Sequence, residues 1–288
     1  MNLNFYLVKN IGMEIFGLFI LGCFGGFLFG MVGIGGNVLY IPIFSFLLTR
    51  LGFHDEELSR AIIANALLIL VFTGSAVSWK QFKVGNFFLR EILLTASTGV
   101  VAALSLTWLI KSGDWYNKKM FDIVFASMLL LTIFRLFTAK TKNESVKESF
   151  TAQNTPTFLL FLIVGWITGT LTALSGMGGS IVMIPLFIEL VGLKMKKAHS
   201  ISVGVVPIMA LSISIFYFFG KPDIASIPFG QIGYLNFAIA APVILGSVLT
   251  SPYGVQAAHR VRPQTQKLVF ATIVSVVLLK MIINLMVF

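Results

Sequence analysis

The sequence predicts an all-α polytopic membrane protein with two repeats of about four hydrophobic segments each, the first segment of each repeat broken or re-entrant. Three observations carry that expectation. Hydrophobic residues make up 57% of the 288 residues and charged residues 11%, at mean hydropathy +0.93, more apolar surface than a soluble domain of this size can bury. Charge-free runs cover 15–49, 61–79, 92–110, 149–188, 198–220 and 224–258, several of them long enough for a hydrocarbon core that needs ~20 apolar residues. The third observation is an internal repeat, described below. Alternating short strands of the outer-membrane barrel type are absent from the pattern.

Taken in order, the apolar segments fall at 11–49, 60–79, 87–110, 117–138, 156–191, 198–219, 234–258 and 264–287. The first, 11–49, is too long for one crossing of ~30 Å at ~1.5 Å per residue, so it is expected to bend, break or turn back. It runs on to Thr49 without a small-x-small cleavage site and is expected to stay in the protein. The next three have single-crossing lengths. A polar stretch with Lys140, Lys142, Asn143, Glu144, Lys147, Glu148 and Asn154 follows. It divides the chain into an N-terminal repeat (1–138), a linker (139–155), expected to be cytoplasmic, and a C-terminal repeat (156–288). Segment 156–191 is again too long, and three single-crossing segments follow it.

The halves correspond residue by residue. Gly22, Gly26, Gly33, Gly35, Gly36 and Pro42 match Gly165, Gly169, Gly176, Gly178, Gly179 and Pro185 at one constant offset, and the two cores read GIGGNVLYIP and GMGGSIVMIP. Further on, Val84-Gly85-Asn86-Phe87 matches Tyr234-Leu235-Asn236-Phe237, and Ile123 to Ser127 matches Leu268 to Thr272, which sets Arg135 opposite Lys280. A duplicated unit of this length is one supersecondary design used twice.

Glycine costs ~1 kcal/mol in a helix interior, and unwound backbone at membrane depth survives only inside protein or beside a watery cavity. A Gly-x-Gly-Gly in the middle of each longest segment therefore marks a break. Asn37 and Ser180, good N-cap types, would restart a half-helix whose first N–H groups lack intrahelical partners. Such a helix start is an anion site, and two of them converging from two repeats is a secondary-transporter arrangement.

These paired glycine-rich cores, each followed by an apolar run and a proline, resemble the sulfite exporter TauE/SafE family over about residues 12–287. The resemblance implies a transporter of the bacterial inner (plasma) membrane, multi-pass, moving small anions such as sulfite, sulfonates or sulfoacetate, in the direction of export. The chain departs from the commonest family pattern where a further glycine follows the Gly-Gly pair: Asn37 and Ser180 stand there. A position usually rich in small hydroxyls is Asn65, matching Ser202. The expected substrate-binding residues are Gly33, Gly35, Gly36, Asn37, Asn65, Gly176, Gly178, Gly179, Ser180 and Ser202. Packing alone suffices for Gly22, Gly26, Gly30, Gly165 and Gly169, which have the four-residue spacing of close helix contacts.

Charges within membrane reach are few. Arg60, Lys197, Arg135 and Lys280 are candidates for anion attraction or gating, with snorkelling and loop placement as the plain readings. Glu189 is the best remaining candidate for a proton relay. Basic residues divide evenly between the two sides if each broken segment crosses once; if each enters and returns, they favour the side of the 139–155 linker, which the positive-inside rule makes cytoplasmic. That count favours inverted repeats.

Other classes fit poorly. The net charge of +10 sits in short connections, so no nucleic-acid partner is expected. Cys23 is the single cysteine, and His54, His199 and His259 form no HExxH, so neither a metal nor a cofactor is expected. Ser175-Gly176 lacks the surroundings of a serine nucleophile, having Ala173 where glycine is wanted, and no enzyme is predicted. An anion channel and a transporter of a non-sulfur organic acid stay open as alternatives. The partners expected are a small anionic substrate and the lipid bilayer, with homodimerisation left open.

Overall fold

The structure, a computed structural model, describes residues 2–33, 36–113, 115–138, 155–224, 228–261 and 263–287, with side chains from Met13 to Phe134 and from Phe158 to Ile283 apart from a few positions between 259 and 270. The linker expected at 139–155 lies, up to Asn154, outside the described residues, as do Gly35 and the side chain of Arg135.

Each overlong segment is divided. The first gives α1 (Asn2–Val32) and α2 (Asn37–Arg50); α3 (Asp55–Lys83), α4 (Leu89–Ser112) and α5 (Lys118–Thr138) follow. The second gives α6 (Thr155–Ser175) and α7 (Ser180–Glu189); α8 (Met195–Phe218), a hairpin of β1 (Gln231–Ile232) and β2 (Leu235–Asn236), α9 (Phe237–Arg260) and α10 (Pro263–Val287) complete the order. In the hairpin Gln231 pairs with Asn236 and Ile232 with Leu235, antiparallel. Among the described residues six spans are long and apolar enough to cross a membrane: Met13–Val32, Asp55–Lys83, Leu89–Ser112, Phe158–Ser175, Met195–Phe218 and Phe237–Ala258. With 14 and 10 residues and ~1.5 Å of rise each, α2 and α7 fall short of a crossing.

Helix packing is reciprocal between the halves. α1 packs on α9, α4 on α6, α3 on α8 and α5 on α10. α1 and α9 run parallel, because a Cβ on Gly22, Gly26 or Gly30 would meet in turn the backbone of Val243, Ser247 and Ser251 at 2.0–2.4 Å. Gly165 and Gly169 of α6 meet Thr95 O and Gly99 O of α4 in the same way. Bare backbone contact of this kind replaces the hydrophobic drive that lipid removes. Each seam adds a threonine bond: Thr250 Oγ1 donates to Cys23 O at 2.6 Å and Thr98 Oγ1 to Leu162 O at 2.8 Å.

α3 and α8 run antiparallel. Beyond the end of α8, Asp223 N–H donates to Glu57 in the first turn of α3 at 3.0 Å; beyond the end of α3, Asn86 O accepts from Ser200 near the start of α8; midway, Gly74 faces Pro207. α2 in turn doubles back along α1. Gly36 lies against Gly25 O, and Tyr40 Oη donates to Gly22 O at 3.2 Å. α7 doubles back along α6 with Gly179 against Thr168 and Thr172.

Polarity is arranged inside out relative to a water-soluble domain. Trp108, Phe134 and Trp166 are 62%, 66% and 53% exposed on outer faces, while Asn37, Ser180 and Ser202 are wholly buried. An apolar exterior with polar residues inside suits a hydrocarbon surround.

Candidate functional site

Both breaks close on the interior faces of α3 and α8. In the second, Gly176, Gly178 and Gly179 have φ of 68°, 75° and 69°, a left-handed conformation that costs an L side chain ~1–2 kcal/mol. Three such residues in four carry the chain from the end of α6 to the start of α7. Gly176 lies against Ile63 of α3, and Gly178 lies between Leu70 of α3 and Val206 of α8. In the first break Gly33 has φ 72° and lies against the His199 ring of α8, whereas Gly36, with φ −53°, is already helical.

The residues on α3 that meet the breaks are Ile63, Ala66 and Leu70; on α8, His199 and Val206 do so with Ser202 between them. The spacings i, i+3 and i+7 put each set on one helix face. Ser202 therefore stands on the face that meets both breaks.

Asn37 joins the two halves. Its Nδ2 donates to Ala66 O at 3.1 Å and to Gly176 O at 2.5 Å. Two carbonyls on one side of the amide fix which atom is nitrogen, so Oδ1 faces away from them. Asn37 Oδ1, Ser180 Oγ and Ser202 Oγ are buried with no hydrogen-bond partner among the described residues. They are three of nine buried side-chain atoms left without a partner among the described residues, each costing ~1–3 kcal/mol, and these three belong to the elements that form the junction.

Helix starts add donors. The first N–H groups of α7 to close on its cap are those of Val182 and Met183, at 3.1 and 2.9 Å from Gly179 O, and in α2 those of Leu39 and Tyr40 close on Gly36 O at 2.9 and 3.2 Å. The N–H groups of Asn37, Val38, Ser180 and Ile181 precede them, as at any helix start, and both helix dipoles present positive ends to the junction.

Other expected site residues are placed differently. Asn65 points away from the junction, with both of its polar atoms bonded elsewhere: Nδ2 donates to Ala61 O and Tyr234 O at 2.8 and 2.9 Å, and Oδ1 accepts from Asn236 N–H at 2.8 Å. It anchors the hairpin before α9 to α3. Arg60 is buried at the start of α3, paired with Glu57 at 2.6 Å and bonded to Ile110 O and Gly113 O at 3.1 and 3.0 Å. Glu57 also accepts from Tyr234 Oη at 3.0 Å. At the opposite end of the antiparallel pair, Lys197 of α8 pairs with Glu91 of α4 at 3.0 Å and lies over the Phe88 ring. Lys280 is exposed on α10, and Glu189 is exposed at the end of α7, away from the buried position a relay would need. A groove lined by Ser127, Leu130, Leu131, Ile133 and Phe134 is nearly all apolar and involves one helix only.

Sequence reasoning passed over His199, Ala66, Leu70, Val206, Thr168 and Thr172. His199 carried one usable signal, its place three residues before Ser202. The others are apolar or hydroxyl residues in apolar helices, with nothing to separate them from ordinary packing.

A polytopic helical protein whose two discontinuous helices meet at buried polar residues in its interior has the layout of a membrane transporter. The chain belongs to the sulfite exporter TauE/SafE family, whose sequence model matches residues 18–281. It is 25% identical to a probable membrane transporter protein of Methanocaldococcus jannaschii over 92% of this chain and 94% of that one. To a probable membrane transporter protein of Haemophilus influenzae it is 22% identical over 92% and 97%, and to the probable membrane transporter protein YjnA of Bacillus subtilis 23% over 92% and 98%. No solved structure matches the chain. The protein is a multi-pass membrane transporter of this family.

Proposed function

We propose that the protein exports small anions such as sulfite, sulfonates or sulfoacetate across the inner membrane, by alternating access around the junction of the two breaks. The observation that carries this reading is the bond from Asn37 to Gly176 O, which brings the start of one half-helix onto the break before the other; Asn37 Oδ1, and Ser180 Oγ and Ser202 Oγ on the adjoining elements, are buried without a partner among the described residues. The anion would bind at Gly33, Gly35, Gly36 and Asn37 and at Gly176, Gly178, Gly179, Ser180 and Ser202. Backbone N–H groups at two helix starts would hold it without a buried cation. Asn65 supports this site as an anchor of α3.

Inverted repeats with re-entrant half-helices fit the packing. Equivalent helices α3 and α8 run antiparallel, and α2 and α7 each double back on the helix before them. The ends of α3, α5 and α9 and the starts of α4, α6 and α8 then share one side. Lys80, Lys83, Arg90, Lys194, Lys196, Lys197 and Arg260 lie on that side, making it cytoplasmic.

With its polar residues wholly buried, the junction is closed to both sides. Arg60 with Glu57 and Tyr234 closes the outer end, and Lys197 with Glu91 closes the cytoplasmic end. Arg135 and Lys280 would draw anions to the surface. Export of an anion from a negative interior gains ~2.3 kcal/mol per charge per 100 mV and needs no partner ion.

Labelled sulfite uptake into proteoliposomes at several imposed potentials, with sulfonates, sulfate and carboxylates as competitors, tests the reading. Saturable, voltage-dependent flux with counterflow supports a carrier. Non-saturating conductance would make the protein an anion channel, and inhibition by carboxylates alone a transporter of a non-sulfur organic acid.

A further inference from the structure

We infer that the junction selects anions that carry a hydrogen-bond donor of their own, such as a hydroxyl group or an acidic proton, over anions that offer acceptors only. The inference rests on the reading of the junction as the substrate site and concerns the chemistry of what fills it.

A site for a bare oxyanion would present donors alone. Helix starts and serine hydroxyls do that, since a hydroxyl rotates to suit its partner. Asn37 does not. Its amide nitrogen is held by Ala66 O and Gly176 O, so it cannot turn towards the ligand without leaving two buried carbonyls bare. What it leaves unpartnered in the wholly buried junction is Oδ1, an acceptor with two lone pairs. Next to a donor-free oxyanion, that oxygen would face other oxygens and keep its desolvation cost. A ligand with one O–H or N–H directed at it, and its anionic oxygens directed at the helix starts and at Ser180 and Ser202, would satisfy all of them.

The second half shows how specific this is. Ser180 occupies the matching place at the start of α7, and its hydroxyl can donate or accept. The two half-helix starts are therefore unequal, the α2 start offering a fixed acceptor and the α7 start an adaptable hydroxyl. An asymmetric ligand, anionic at one end and donating at the other, would bind in one orientation. Sites built to bond a substrate hydroxyl reject the analogue lacking it, because the buried protein atom is then left unpaired.

Two pairs of anions of equal charge isolate the donor: 2-hydroxyethanesulfonate against ethanesulfonate, and glycolate against acetate. Flux of each is measured into proteoliposomes of the full chain, with protein-free vesicles subtracted. The expected result is about tenfold or greater preference for the hydroxylated member of at least one pair, equivalent to ~1.4 kcal/mol. Asn37→Ala should bring the ratio to within about threefold, chiefly by slowing the hydroxylated anion. If Asn37→Ala fails to fold, the wild-type ratios stand as the test. Equal flux within both pairs would overturn the inference while leaving the anion site intact. No carrier-mediated flux of any of the four, nor of sulfite, would overturn both.

Discussion

Asn37 and Gly176, 139 residues apart, share a hydrogen bond of 2.5 Å between the Asn37 amide and the Gly176 carbonyl. The start of one half-helix is thereby tied to the backbone of the other break. A movement of one half against the other must stretch this bond or carry both breaks along.

Valine at Gly179 should stop transport while leaving insertion intact. The position combines φ of 69° with a Cβ that would lie 2.7 Å from Thr172 Oγ1 and 2.8 Å from Thr168 O, so both strain and collision act there. Gly36 has the collision alone, 2.7 Å from Gly25 O at φ −53°. Alanine should therefore be milder at Gly36 than at Gly179, with flux reduced about tenfold or more only at the latter. Sulfite flux per inserted molecule checks this, and normal flux through both Gly36→Val and Gly179→Val would place the site elsewhere.

Asn65→Leu should cost stability rather than affinity. It strips partners from Tyr234 O and Asn236 N–H, each buried group worth ~1–3 kcal/mol. Thermal unfolding in detergent should shift down, while the KM of protein that remains folded stays within about twofold. A tenfold rise in KM with unchanged melting would make Asn65 a ligand residue.

The two closures should differ in strength. Lys197 is 31% exposed in its pair with Glu91, and pairs of this kind contribute ~0–1 kcal/mol, so Lys197→Gln should leave stability nearly unchanged. It should also raise labelling by a membrane-impermeant maleimide at a cysteine introduced in place of Ser202, in a Cys23→Ser background, from the cytoplasmic side. Arg60→Gln removes a buried partner of Glu57 and of two carbonyls; loss of such a buried charge partner costs ~3–5 kcal/mol, read as a large fall in melting temperature. Equal effects of the two substitutions would make the closures equivalent.

Tyr234 gives the outer closure a pH signature. Burial first, and then the Glu57 carboxylate it donates to, push its hydroxyl up to about 12 from an ordinary 10.0. A folded-state value above the unfolded one stabilises the protein fully below the unfolded value, with that stability lost as pH rises through the folded value. Melting temperature of the wild type should thus fall more steeply between about pH 10 and 12 than that of Tyr234→Phe, and the two should show the same pH dependence between pH 6 and 9.

Much of the fold was legible in the sequence because hydrocarbon imposes a simple rule: backbone must bond to itself, so apolar runs become helices. Lengths of 11–49 and 156–191 announced two breaks, and the glycines located them at 33–36 and 176–179. The matched glycine spacings of Gly22, Gly26 and Gly165, Gly169 announced close seams, though not that α1 would take α9 and α6 would take α4. Asn65 shows where local reading stops. As a polar residue inside an apolar helix it suits a ligand or a clamp equally well, and which it is depends on whether Tyr234 and Asn236, far along the chain, arrive beside it.

Composition, segment length and the duplicated glycine pattern by themselves determined a polytopic helical protein with two interrupted helices, since those features act through local backbone energetics and solvent transfer. The tertiary structure alone decided that the interruptions meet, that Asn37 turns its nitrogen to Gly176 and leaves its oxygen without a partner among the described residues, and that Arg60 pairs with Glu57 and Lys197 with Glu91 at opposite ends of the α3–α8 pair. These are relations between residues distant in sequence, fixed by which helix faces pack together, and no property of either partner taken singly contains them.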